Sequence, residues 1–190
     1  MSVVTVSNTE TVIEVIDPSA SVVNVTAGED TVIIDPPDLA YCNAYDTTDQ
    51  AVTSVTASKK IDVNSTSLAY KISRSDGTFT FQQAGTYSIS LSVQYENSAT
   101  SIVESAIYLR KNNQVVDYSS SYSSVPNSHG GIPGRLITTV PFVMQFVPND
   151  TLEFWWHADN INCKIHTIAA STSPSAPVAP GVIITIVQVS

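Results

Sequence analysis

From about residue 40 onward, apolar and polar residues follow one another with a period of two. The clearest case is Gly85-Thr86-Tyr87-Ser88-Ile89-Ser90-Leu91-Ser92-Val93-Gln94-Tyr95. Here Tyr87, Ile89, Leu91, Val93 and Tyr95 share one face, and Ser and Gln take the other. Successive strand side chains point to opposite sides, so this run predicts a half-buried β-strand. Similar runs predict strands at 52–56, 61–63, 68–73, 77–81, 102–109, 114–118, 136–147, 152–157, 161–168 and 182–189. Arg110-Lys111-Asn112-Asn113 reads as a hairpin turn between two of them. No amphipathic helical period stands out. Many short strands broken by turn signals predict an all-β sandwich or barrel. Residues 119–134, rich in Ser, Gly and Pro, are expected to form an exposed loop. Residues 170–180, rich in Ser, Ala and Pro, are expected to form an extended connection.

The first 35 residues contain an internal repeat. Val4-Thr5-Val6 leads to Val12-Ile13-Glu14-Val15-Ile16-Asp17-Pro18, and Val23-Asn24-Val25 leads to Val32-Ile33-Ile34-Asp35-Pro36. Each unit reads as two short strands joined by a polar turn. Four such strands bury little surface alone, and an apolar, β-prone arm is an edge liability unless something pairs with it. Val4, Val6, Val12, Ile13, Val15, Val23, Val25, Val32, Ile33 and Ile34 are therefore expected to be the residues by which the arm anchors. Asp35-Pro36-Pro37-Asp38 interrupts any sheet, because each proline removes a donor and restricts its predecessor. The predicted division is an acidic β-repeat arm over 1–38 and a second domain over 39–190.

Charge sharpens this division. The net charge is −9, and no Lys or Arg precedes Lys59. Glu10, Glu14, Asp17, Glu29, Asp30, Asp35, Asp38, Asp46 and Asp49 all come before it; from Lys59 onward, acids and bases balance. An acidic chain lacks the basic face that phosphates or anionic lipids need, so neither nucleic acid nor membrane is expected as a partner. Solubility alone accounts for an acidic arm; docking on a basic protein surface is the sharper reading. Hydrophobic residues make up 43% of the chain, enough for a real core. Met1-Ser2-Val3-Val4 carries no basic and apolar leader pattern, so no signal peptide is expected. Cys42 and Cys163 do not make a disulfide framework, and their pairing stays open without geometry.

Candidate chemistry is sparse. His157-Ala158-Asp159 and Cys163-x-x-His166 invite a metal reading, yet strand residues three apart face opposite sides, so Cys163 and His166 should diverge. No G-x-S-x-G elbow occurs, and His129 sits in a loop that gives a base little support. No enzyme, metal or cofactor is expected. Trp155 and Trp156 are adjacent, so one should point inward and the other outward. With Tyr118, Tyr122 and His129 of the nearby loop they form the candidate surface-contact set.

In the second domain, Phe79-Thr80-Phe81-Gln82-Gln83-Ala84-Gly85-Thr86-Tyr87 resembles the aromatic strand pair of the C1q/TNF-like jelly roll. Ala106–Val115 resembles that family's "L-x-K-N-G" hairpin, 146–154 its "L-x-x-G-D-x-V" element, and Gly181–Val189 its buried last strand. Asn113 and Asn149 stand where glycine is usual. The resemblance implies a jelly-roll sandwich and a homotrimer. An acidic β-arm before such a domain resembles a bacteriophage virion anchor. The expected function is a non-enzymatic capsid decoration or head-fibre protein on the virion surface, held to the major capsid protein or another virion protein by its arm. The alternative is a tail-fibre receptor-binding protein that contacts host glycan.

Overall fold

The computed structural model describes Ser2–Thr5, Val23–Asn24, Thr31–Ile34 and residues 38–190. The chain divides into two units, Met1–Leu39 and Ala40–Val189. In the first, β1 (Ser2–Thr5), β2 (Val23–Asn24) and β3 (Thr31–Ile34) form an antiparallel sheet of order β1-β3-β2. Ser2 pairs with Ile34 and Thr5 with Thr31; Val23 pairs with Ile34 and Asn24 with Ile33. Of the arm positions named above, Val4, Val23, Val32, Ile33 and Ile34 lie on these strands. Val6, Val12, Ile13, Val15 and Val25 lie outside the described residues, as does the strand expected around Val12–Ile16.

The second unit begins with β4 (Tyr41–Asp46), β5 (Gln50–Ala51), β6 (Lys59–Lys60), β7 (Ser65–Tyr70), β8 (Ile72–Ser75) and β9 (Thr78–Phe81). Next come β10 (Gly85–Asn97), β11 (Val103–Lys111), β12 (Gln114–Val115), β13 (Ser121–Val125) and β14 (Gly134–Phe146). It ends with β15 (Thr151–Ala158), β16 (Cys163–Ile165), β17 (Ser171–Thr172), β18 (Ser175–Ala176) and β19 (Val182–Gln188). The described residues contain no helix. One sheet is built on β4-β19-β10-β14, with β7 beyond β4, and with β16 and then β5 continuing past β19. The other is built on β9-β15-β11-β13 and flanked by β8, β6 and β12. Numbering the principal strands 1 to 8 in chain order, the sheets run 1-8-3-6 and 2-7-4-5, the winding of a jelly roll. The expected fold class is thus present in the pairing itself.

The core lies between the two sheets. Tyr87, Ile89, Leu91, Val93 and Tyr95 of β10 are all fully buried, as the alternation predicts. Phe79, Phe154, Trp156, Leu109 and Ile107 face them from the second sheet. Phe81 stacks on Phe146 and meets Tyr87 edge-on at 4.8 Å. Tyr95 and Trp156 approach at 6.1 Å elsewhere in the core.

Several local expectations are corrected. Near 52–56 the paired residues are Gln50 and Ala51, and near 61–63 they are Lys59 and Lys60. Val52, Ile61 and Val63 are core residues of irregular segments; their apolar character reflects burial rather than strand pairing. The 119–134 segment is not all loop, because Ser121–Val125 pairs with Val103–Ile107 as β13. Its serines, half-buried at Ser121 and Ser123 and exposed at Ser124, mimic loop composition. The 170–180 connection contains the β17–β18 hairpin.

The asparagines that replace glycine have a physical role. Asn112 and Asn113 both take left-handed backbone, at φ 51 and 63, as a two-residue hairpin turn needs. Asn149 does the same at φ 73. Asparagine tolerates this region better than most residues. The two turns then lock together through Asp150. Lys111 Nζ lies 2.8 Å from Asp150 Oδ2, Asn112 Nδ2 donates to Oδ1 at 2.7 Å, and Val147 N donates to Oδ2 at 2.9 Å. Thr151 N donates to Asn112 Oδ1 at 2.7 Å. Burial opposes the charge on Asp150, but these donors outweigh it and hold its carboxyl below the usual range. Asp150→Ala strands the Asn112 and Val147 donors. It should cost about 1–3 kcal/mol in urea denaturation, and a loss near zero would refute the lock.

Candidate functional site

On the sheet that carries β4 and β10, the outward residues form cross-strand rows. One row is Tyr70, Tyr41, Val187, Ser88 and Val143; the next is Leu68, Asn43, Thr185, Ser90 and Pro141; the third is Ser65, Tyr45, Ile183, Ser92 and Thr139. None of these is Asp, Glu, Lys or Arg. Leu68 is 58% exposed, Val143 71%, and Ile183 and Val187 41% each. Polar atoms on this face engage one another: Asn43 Nδ2 donates to Thr185 Oγ1 at 2.9 Å, Ser67 Oγ to Asn43 Oδ1 at 2.7 Å, and Thr139 Oγ1 to Ser92 Oγ at 3.3 Å. Such a face loses little when water leaves it. Beside it, β14 closes this sheet with β10 as its strand partner. Its inward residues Leu136, Phe142 and Met144 pack on the core yet remain only partly buried.

Charge reappears further along β10. Glu96, 8% exposed, receives Arg135 Nη2 at 3.0 Å, Lys164 Nζ at 3.3 Å and His166 Nε2 at 3.2 Å. Asp49 binds Lys164 Nζ at 2.7 Å, His166 Nδ1 at 3.0 Å and Thr167 N at 2.9 Å. Desolvation works against both carboxylates, but the bonds from Lys164, Thr167 and His166 bring Asp49 down to about 2, and those from Arg135 and Lys164 lower Glu96. Hydrogen bonding to Asp49, followed by Glu96, raises Lys164 despite its own burial. Carboxylates held ionised by this many cations make poor general acids at neutral pH. The cluster instead ties β10, β14, β16 and the loop before β5 together.

The strand parity that separates Cys163 from His166 is visible here. Cys163 is buried in the core, where burial pushes its thiol up to about 12, while the His166 ring joins the charged cluster. Cys42 and Cys163 are both free and buried, which answers the question of their pairing. Among the described residues, no group of three or more His, Cys, Asp or Glu is placed to hold a metal ion, and no helix is long and apolar enough to cross a membrane.

The aromatic contact set is not a single patch. Trp156 must be removed from it: the side chain is fully buried in the core. Trp155 points outward but is covered, since the Arg110 guanidinium lies 4.7 Å from its ring centre and its Nε1 donates to Glu153 Oε2 at 2.9 Å. Tyr118 is fully exposed on left-handed backbone, φ 62. Tyr122, 69% exposed, meets the His157 ring edge-on at 6.3 Å. His129 sits apart in a turn, where its backbone pairs with Ile132. Sequence reasoning missed the uncharged face and the Glu96 cluster. Parity carried part of that signal: Glu96 continues the polar side of β10, and Lys164 and His166 are two residues apart.

No family model matches the sequence, and no curated protein matches it. Among solved structures, the crystal structure of murine APRIL at pH 8.5 is similar at 6% identity and a TM-score of 0.49, over 80% of this chain and 100% of that one.

Asp49 and Glu96 have folded pKa values below their unfolded ones. Their stabilisation is therefore present above about pH 4.5 and lost as pH falls through the folded values, which for Asp49 is about 2. Exposure of Asp49 screens its share. Glu96→Gln should lower the melting temperature at pH 7 and flatten the decline below about pH 4.5. A variant with the same acid profile as the parent would contradict this assignment.

Proposed function

We propose that this protein is a non-catalytic structural protein of a bacteriophage particle, a homotrimer whose jelly roll projects from the virion surface and whose acidic arm attaches it to a capsid or other virion protein. The uncharged sheet face is the observation that carries the self-association. Copies with a net charge of −9 repel one another, so they associate most readily through surface that brings no like charges together. The rows from Tyr70 to Val143 provide such a surface. Closure about a threefold axis also needs two different patches on each copy, because its contacts are heterologous. The uncharged face and the partly covered β14 edge, with Leu136, Phe142 and Met144, are two such patches. Burying both would also cover the open edge of β14.

The virion placement rests on the arm. Every acid in excess of the bases lies before Lys59, and the arm's valines and isoleucines recur at strand spacing. An acidic, strand-forming segment suits docking on a basic protein lattice. A decoration or head fibre is the favoured role. Receptor binding at a tail tip is the second reading, favoured by Tyr118 and Tyr122, which lie exposed outside the uncharged face and would remain available to host glycan.

Light scattering should give a trimer for the intact chain and a monomer for Ile183→Lys combined with Val187→Lys, with unchanged far-ultraviolet circular dichroism. A double variant that remains trimeric would place the interface elsewhere. Deleting residues 1–38 should leave a trimer that no longer decorates particles lacking the protein; retained decoration would overturn the anchoring role. Loss of host adsorption on Tyr122→Ala, with particle decoration intact, would move the role to receptor binding.

A further inference from the structure

The uncharged character of the sheet face extends into a hairpin that the core does not use. From Thr167 to Ser190 the sequence contains no Asp, Glu, Lys, Arg or His. Residues 169–178 are all exposed, and they include Ala169, Ala170, Pro174, Ala176, Pro177 and Val178. Within this stretch β17 and β18 pair through only Ser171 with Ala176 and Thr172 with Ser175. A hairpin of that size buries almost nothing and is marginal in water unless it packs on another surface.

Its base is firmly set. Ile168 and Ala179 exchange backbone hydrogen bonds of 3.0 and 2.9 Å, and Gly181 N donates to Asp46 O at 3.0 Å. Gly181 also packs tightly, because a Cβ there would lie 3.0 Å from Ile165 Cγ2 and 3.2 Å from the His166 carbonyl. The hairpin therefore projects from a fixed stem, directly before β19, whose outward Ile183 belongs to the uncharged face.

We infer that residues 169–178 form an inter-subunit clasp, which packs on a second copy of this chain at the Ile183 end of the uncharged face. This rests on the self-association proposed above. The choice of a second copy rests on the hairpin's lack of charge and its position directly before β19, whose outward Ile183 lies in the proposed interface: such a segment meets no like-charge repulsion from a partner copy of net charge −9. In the assembly each copy would contribute one clasp to its neighbour, a heterologous contact that suits a closed ring.

The test uses the full chain. Replacing residues 170–177 with Asn-Gly, a two-residue hairpin turn, keeps the Ile168–Ala179 pair and removes the projection. Sedimentation of the parent and the shortened chain over a concentration series reads the trimer-to-monomer midpoint. The clasp predicts a midpoint at least tenfold higher in the shortened chain, with an unchanged monomer spectrum. Amides of Ser171–Ala176 should also exchange at least tenfold more slowly in the parent assembly than in the monomeric Ile183→Lys, Val187→Lys variant. A parent trimer whose midpoint and exchange do not respond overturns the clasp and leaves the trimer standing. A parent that is monomeric throughout overturns both.

Discussion

The fold depends on β10. This strand has partners on both of its edges, with β14 along one and β19 then β16 along the other. Its Tyr87, Ile89, Leu91, Val93 and Tyr95 form the floor of the core, so a one-residue slip would turn all of them to solvent. The same strict alternation makes the opposite side Ser88, Ser90, Ser92 and Gln94. One run of residues thus fixes the register of the sheet, the position of the core and the character of the outward face.

That outward face and the charge distribution belong together. Charge on the first sheet is gathered at one end, around Glu96, where acids and bases neutralise each other. On the second sheet Lys60, Arg110 and Glu153 surround Trp155. The excess of acids lies near the N-terminus. Away from the Glu96 cluster, the first sheet presents an outward surface whose strand rows hold no Asp, Glu, Lys or Arg and are partly apolar. Large side chains such as Leu68 and Val143 lie exposed there, and the proposed assembly would cover them.

Much of the fold was legible in the sequence because burial imposes period two on long strands. The β10 and β19 patterns, the Asn112-Asn113 turn and the inward–outward split of Trp155 and Trp156 all followed from that rule. Short pairings were not legible. Lys59–Lys60 and Gln50–Ala51 are two-residue pairings with no apolar alternation to mark them, while the nearby apolar residues Ile61 and Val52 fill the core from irregular segments. Serine-rich β13 read as a loop because hydroxyls suit an exposed strand face and a turn equally well. Site prediction suffered for a related reason. Aromatic residues stand out in a sequence, and they drew attention to Trp156, which is core. A surface marked by the absence of charge has no conspicuous residue, and it emerges only when strand register lines its members up.

The central claim is that identical copies meet through the uncharged face. It is tested most directly by the molar mass of the intact chain in solution, measured by sedimentation equilibrium at low and at high salt. The account predicts three times the 20.3 kDa chain mass. It also predicts association that holds or tightens as salt screens the net negative charge. A chain that stays at its monomer mass, or a trimer that dissociates as salt is added, would contradict it.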